Sequence, residues 1–324
     1  MLVVFAHIFK GVATRVIFTY HMPLFFFLSG AALVYSHNNG INVGKKIKTI
    51  IVPYFAFSFI CFLYWIMVEA RLRPIRLNPI FDSYLGETNP VLQQFINIFA
   101  SVSTSDAFAY NTVLWYLPCL FCALILYCVC RKYCIKFLLL LALLSAALAL
   151  ICMTNCICIP WCFEISLAVI LFLYLGELLY SRIVKMQVRT ATLLFVILLI
   201  VAVLVYLDGV KKTDLRTHMW TWGGYFLALL MIIISVLGIY LTRLYKVGAL
   251  QWIGRNSLII MCIHGPIYRV VIMILSVLFK MSTSELRHSF VLATVATVIT
   301  ILVASPFVVL INRYIPQLIG HQKK

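Results

Sequence analysis

Two histidines near the start of this 324-residue chain give it its clearest means of proton chemistry. Histidine takes or gives a proton near neutral pH without help from its surroundings, and His7 and His21 both fall in the first 21 positions. His21 opens the stretch HMPLFFFLSG, residues 21–30, in which an imidazole, a proline and three consecutive phenylalanines share ten places. It is the last polar residue before an apolar run, and Pro23 fits a first helical turn, where its missing N–H costs nothing. The pattern predicts a helix over 22–36 with His21 at its start, where a membrane boundary brings the imidazole into reach of water and of bilayer-depth groups. An interfacial histidine with no task fits the same residues.

Other polar residues stand out against an apolar background. Glu177 and Arg269 lie within or near apolar runs, where an unpaired charge is expensive, so each is expected to have a partner or a polar cavity. Asn256 and Ser257 read as a helix N-terminal cap, with His264 two turns deeper. Trp115 and Tyr116 open an apolar run, as aromatics do at a membrane interface. Glu164 follows Pro160 and Trp161 at a helix start, where the helix dipole alone favours a carboxylate. Of the 11 cysteines, Cys152, Cys156, Cys158 and Cys162 crowd into CMTNCICIPWC, a spacing that fits no standard zinc pattern. Cys119 and Cys122 sit in an apolar helix as small hydrophobes. No metal site is expected.

Composition says what must position these residues. Apolar residues make up 64% of the chain and charged ones 11%, against about 45–50% and about 25% in an ordinary soluble protein. Mean hydropathy is +1.07. Such a surface is compatible only with lipid, and apolar runs of helical length joined by short basic connectors exclude a barrel, which alternates. The expectation is an all-α polytopic bundle forming a single domain over 1–324, with no soluble domain. Complete spans read as 22–36, 49–68, 112–130, 137–153, 161–180, 191–207, 220–241, 257–279 and 290–311. Residues 1–9 are apolar, but Lys10 and Arg15 follow, so this run is too short to span alone. It also lacks the basic front and cleavage site of a signal peptide. The expectation is a first span that begins before Met1, making about ten helices.

Charge sets the orientation. Of the 26 Lys and Arg, 15 fall on the side of the KKIK connector, ten on the other, and Arg269 within a span. None of the nine acidic residues lies on the KKIK side; seven lie opposite, and Glu164 and Glu177 share one helix. Both termini are therefore expected in the cytoplasm. The net charge of +17 is mostly this topology signal and gives no support to nucleic-acid binding.

Several motifs, in order, carry a resemblance. HMPLFFFLSG is followed by a basic connector and IVPYFAF (51–57), then LWYLPCLF (114–121), IPWCFEISLAVILFLYLGELL (159–179) and IGRNSLIIMCIHGPIYR (253–269). Each is largely apolar, but the ordered set resembles the membrane acyltransferase-3 family, and within it the fucose 4-O-acetylase-like branch. The resemblance implies a multi-pass enzyme of the cell inner membrane that moves an acyl group, usually acetyl from acetyl-CoA, onto a hydroxyl of a cell-surface glycan such as a polysaccharide, lipopolysaccharide or lipid-linked oligosaccharide. Family members usually carry an arginine about ten residues before a first-helix histidine. LVVFAH, residues 2–7, resembles the histidine end of that motif, and the arginine would fall before Met1.

The resemblance assigns roles to residues already singled out. Acylating a hydroxyl needs a base to take its proton, and His7 and His21 are the candidates, brought to one outer mouth by a connector of about a dozen residues. Lys45, Lys46 and Lys48 are placed to attract the phosphates of acetyl-CoA, although ordinary topology signalling accounts for the same cluster. Family members tend to have arginine there, whose bidentate grip lysine lacks. Trp115, Tyr116 and Glu164 are candidates for the acceptor sugar, Glu164 also for orienting a histidine. Arg71, Arg73 and Arg76 suit an anionic glycan or a solvated loop. A transporter or flippase for a lipid-linked glycan, or an inactive scaffold relative, are the alternatives.

Overall fold

The structure is a computed structural model that describes residues 1–35, 42–69, 71, 90–102, 108–207, 215 and 220–320. Among these there is no strand, and nine helices are long and apolar enough to cross a membrane. The expected polytopic helix bundle is what the chain forms. Its helices are α1 (Leu2–Ile8), α2 (Val12–Val34), α3 (Val43–Glu69, with two π-turns), α4 (Pro90–Ala100), α5 (Tyr116–Tyr133), α6 (Leu138–Thr154), α7 (Phe163–Val184), α8 (Val188–Leu207), α9 (Trp222–Thr242), α10 (Gly248–Arg255), α11 (Ser257–Leu278), α12 (Thr283–His288) and α13 (Phe290–Tyr314). Arg73 and Arg76 lie outside the described residues.

The centre of the bundle is the contact between α2 and α7, with α5, α6 and α9 packed around it. Two glycines make that contact possible. A Cβ on Gly30 would run into the Leu173 carbonyl, and one on Gly176 into the Phe27 carbonyl, so the helices cross backbone to backbone. Lipid offers little hydrophobic drive between helices, and close approach through small residues supplies the packing instead. On the other flank, α11 pairs with α13, and the short α1 lies among α2, α11 and α13.

The start of α2 departs from expectation. The connector after α1 is only Phe9–Gly11, and α2 begins at Val12, ten residues before the expected span. Lys10 and Arg15 misled the reading: Arg15 is exposed within the first turns, near the helix end, and the Thr14 and Thr19 hydroxyls donate to the Phe9 and Arg15 carbonyls. Pro23 accordingly lies inside the helix rather than in its first turn, and His21 stands nine residues deep, about 14 Å along the axis.

Helix α4 was not expected at all. It turns Gln93, Gln94 and Asn97 into the bundle and leaves Leu92, Phe95 and Phe99 exposed, the reverse of a water-facing helix. Its end is tied to the entry of α7. Trp161 Nε1 donates to the Phe99 carbonyl at 2.9 Å and Cys162 Sγ to the Ser101 carbonyl at 3.0 Å. These contacts help hold Trp161 and Cys162 at φ 63° and 50°, a left-handed pair that costs non-glycine residues energy unless the surroundings fix it.

Candidate active site

The bundle brings His7 and His21 together by folding α1 against α2. Their ring centroids are 6.5 Å apart, and Phe18 packs edge-on against both. Both rings face one cavity of about 180 Å³, whose other lining residues are Phe18, Met22, Thr112, Val113 and Trp115. The last three come from the segment that leads into α5. His21 reaches the cavity from the body of α2 and not from a helix start, because α2 begins earlier than its polar residues suggest. His21 is buried. Its Nδ1 lies 2.9 Å from the Ile17 carbonyl; a carbonyl only accepts, so Nδ1 carries the proton and Nε2 keeps the lone pair.

His7 lies in the last turn of α1, and its backbone is held from outside its own helix. Arg287, at the end of α12, donates Nη2 to the His7 carbonyl at 2.8 Å and Nε to the Ile8 carbonyl at 2.9 Å. Lys10 N–H returns to the Arg287 carbonyl at 2.7 Å. A cation at a helix C-terminus satisfies the last carbonyls and meets the dipole. Helix α12 is itself fixed by a capping box between Ser282 and Glu285, whose backbone N–H and hydroxyl hold the exposed Glu285 carboxyl below the usual carboxylate range. Arg287 was not singled out in the sequence, since a lone arginine in a polar connector carries no signal.

His264, on α11, is the second residue that the sequence undervalued. It is fully buried, its ring centroid 5.4 Å from that of His7, with Tyr268 6.2 Å from His7 and nearly parallel to it. Pro266, two residues on, has no N–H to offer Cys262, and the freed carbonyl accepts Asn111 Nδ2 at 2.6 Å. Gly265 leaves the room: a Cβ there would come within 2.6 Å of Asn111 Oδ1. Asn111 precedes Thr112, so α11 and the cavity wall are joined at this bond. One turn further, Arg269 Nη1 meets Glu69 Oε2 at 2.6 Å and the Ala109 carbonyl at 3.1 Å. Both charges are nearly buried, and the second π-turn of α3, Trp65–Glu69, carries the carboxylate. Glu177 has partners too, Tyr127 Oη at 2.6 Å and Arg131 at 2.8 Å.

The remaining candidates divide. Trp115 lines the cavity, whereas Tyr116 packs on Phe25 and Phe26; both are buried, not turned to a lipid interface. Glu164 does begin α7, but it accepts the Ile159 N–H at 3.0 Å and is not among the cavity's lining residues. Asn256 holds the N-cap position of α11 without capping it; its Nδ2 donates to the Trp252 carbonyl instead. Lys45, Lys46 and Lys48 lie in the first turns of α3, Lys45 and Lys48 exposed and Lys46 half-buried. They follow the far end of α2, and 13 residues separate His21 from Val34, about 20 Å of helix. Among the described residues no group of His, Cys, Asp or Glu is placed to hold a metal ion.

Comparison with known proteins decides the family. The sequence model of the acyltransferase-3 family, described as an acyltransferase domain, matches residues 1–309. The chain belongs to that family. It is a multi-pass membrane acyltransferase, and the cavity that gathers His7, His21 and Trp115 is its candidate active site. The match does not single out the fucose 4-O-acetylase-like branch. No curated protein and no solved structure matches the chain.

Proposed function

We propose that this acyltransferase moves acetyl from acetyl-CoA onto a hydroxyl of a cell-surface glycan, with His7 as general base. The observation that carries the reading is the pair of imidazoles on one cavity wall inside a bundle of this family. His7 takes the proton as the acceptor oxygen attacks the thioester carbonyl; the C–O bond forms, the C–S bond breaks, and the proton passes to the departing thiolate. His21, with its lone pair on Nε2, orients the acceptor hydroxyl. Trp115 offers a flat apolar face to a sugar ring. Lys45, Lys46 and Lys48 hold the phosphates of the donor at the opposite end of α2, and Tyr116 and Glu164 shape the acceptor side through the walls they pack against.

The protein belongs, in this reading, to the cell inner membrane with both termini in the cytoplasm. That places the lysines on the side where acetyl-CoA is made and the α12 side towards the surface glycan. The test uses membranes that contain the chain, radiolabelled acetyl-CoA and the cell's glycan fraction. Label in the glycan supports the proposal; acylation of the glycan from another donor, with none from acetyl-CoA, removes it. A reporter fused to the C-terminus that is active only outside the cytoplasm would overturn the topology.

A further inference from the structure

We infer that His264 is a positioning residue for His7: its Nε2 lone pair is the acceptor to which a His7 ring nitrogen turns when His7 takes up the substrate proton. The inference rests on the reading of His7 as the base. His264 Nδ1 lies 3.0 Å from the Ile260 carbonyl and 2.9 Å from the Met261 carbonyl. Both partners accept only, so the proton is on Nδ1 and the lone pair on Nε2. That Nε2 is buried and has no hydrogen-bond partner among the described residues. A buried acceptor left unmade costs stability, and a leucine or phenylalanine would fill the place without that cost, so packing alone does not account for a histidine here.

Two neighbouring rings have a proton to bring. Tyr268 is on the same helix, with its ring centroid 6.3 Å away; His7 is nearer, at 5.4 Å and tilted by 47°. His264 is not among the residues lining the cavity, whereas His7 is. His7 thus stands between an acceptor in the protein wall and the space for substrate. A base in that position needs such an acceptor. When His7 takes the hydroxyl proton it becomes an imidazolium with two N–H groups, one towards the reacting oxygen and one towards the wall. Burying the second without an acceptor disfavours the charged form; directing it at Nε2 fixes the ring and favours the proton's arrival. His264 accepts a hydrogen bond and keeps its own proton throughout, so the proton count of the reaction is unchanged.

The test compares His264→Leu, His264→Gln and Tyr268→Phe in the full chain, with matched thermal midpoints. Turnover is read with radiolabelled acetyl-CoA, and the nucleophilicity of His7 from the rate at which diethyl pyrocarbonate acylates it, by mass spectrometry of the peptide ending at Lys10. His264→Leu is expected to lower kcat about 10- to 100-fold, the scale seen when a metal-binding histidine loses the partner that orients it, to leave KM for acetyl-CoA unchanged, and to slow His7 acylation. His264→Gln, which returns an acceptor oxygen, should restore part of both, and Tyr268→Phe should change neither. Equal losses in the Leu and Gln variants would reduce His264 to packing, and effects that follow Tyr268→Phe instead would make the tyrosine the partner; either overturns the inference. If His7→Ala stays active, the base reading fails, and the acylation rate of His7 still decides whether His264 acts on it.

Discussion

At the scale of single residues, the site is defined as much by what holds the imidazoles as by the imidazoles themselves. His21 and His264 each have Nδ1 fixed by a carbonyl in the preceding turn, which sets the tautomer of the neutral ring. Arg269 and Glu69 show the same economy with charge: deep in the bundle each is tolerable only because of the other. Arg269→Met should therefore destabilise the protein by about 3–5 kcal/mol, the cost of a buried carboxylate without its partner. Replacing both residues by apolar ones of similar size should restore most of the loss. Thermal unfolding in detergent checks the pair, and equal losses in single and double variants would mean that the ion pair has no such coupling. That Glu177 and Arg269 have partners was legible in the sequence, because charge inside an apolar run demands one. Which residues supply them was not, since Glu69 and Arg131 are distant in the chain.

At the scale of elements, hydropathy located the nine spans, with the starts at Ser257 and Phe290 to the residue, and misplaced the beginning of α2 by ten residues. Lys10 and Arg15 look like the end of one helix and a loop, yet α2 absorbs Arg15 near its exposed end and carries His21 into the bundle. Helix α4 escaped notice because its polar face is the buried one. No apolar run and no water-facing stripe marks it. The contacts that build the site were equally hidden: helices apolar on every side carry no periodicity to say which face meets which neighbour. Two elements depend on single residues. Arg287→Ala removes both side-chain bonds to the end of α1, and should lower turnover by loosening His7 while leaving the nine spans folded, as measured by kcat beside unfolding temperature. Unchanged kcat would mean that α1 keeps its place without the arginine. Gly30→Val places a branched side chain against the Leu173 carbonyl, and should cost at least the ~1–3 kcal/mol of ordinary overpacking. Native-like yield and unfolding temperature would contradict the backbone-to-backbone crossing.

At the scale of the whole molecule, the proposed reaction has two separated parts. The three lysines follow the C-terminal end of α2, and His21 lies 13 residues back along that helix, about 20 Å. In the proposed reaction the acyl donor is held by its phosphates at the lysines and reaches the histidines along α2. Contacts made equally in the ground and transition states are uniform binding, so neutralising Lys45, Lys46 and Lys48 together should raise KM for acetyl-CoA more than it lowers kcat. An unchanged KM in correctly inserted protein would return the cluster to a topology signal. Fold class and family were legible end to end from the ordered motifs. The place of His21 within α2 was not, because it depends on where α2 starts.

The central claim is that His7 is the base. The measurement that bears on it most directly is the acetyl content of purified surface glycan from cells expressing His7→Ala or His21→Ala at matched levels in the membrane. His7→Ala should reduce acetylation by about 10²–10⁴-fold, the usual worth of a positioned proton acceptor, and His21→Ala by less, since the base remains. Normal acetylation in both variants would contradict the account and leave the cavity a passage for glycan instead of the site of its acylation.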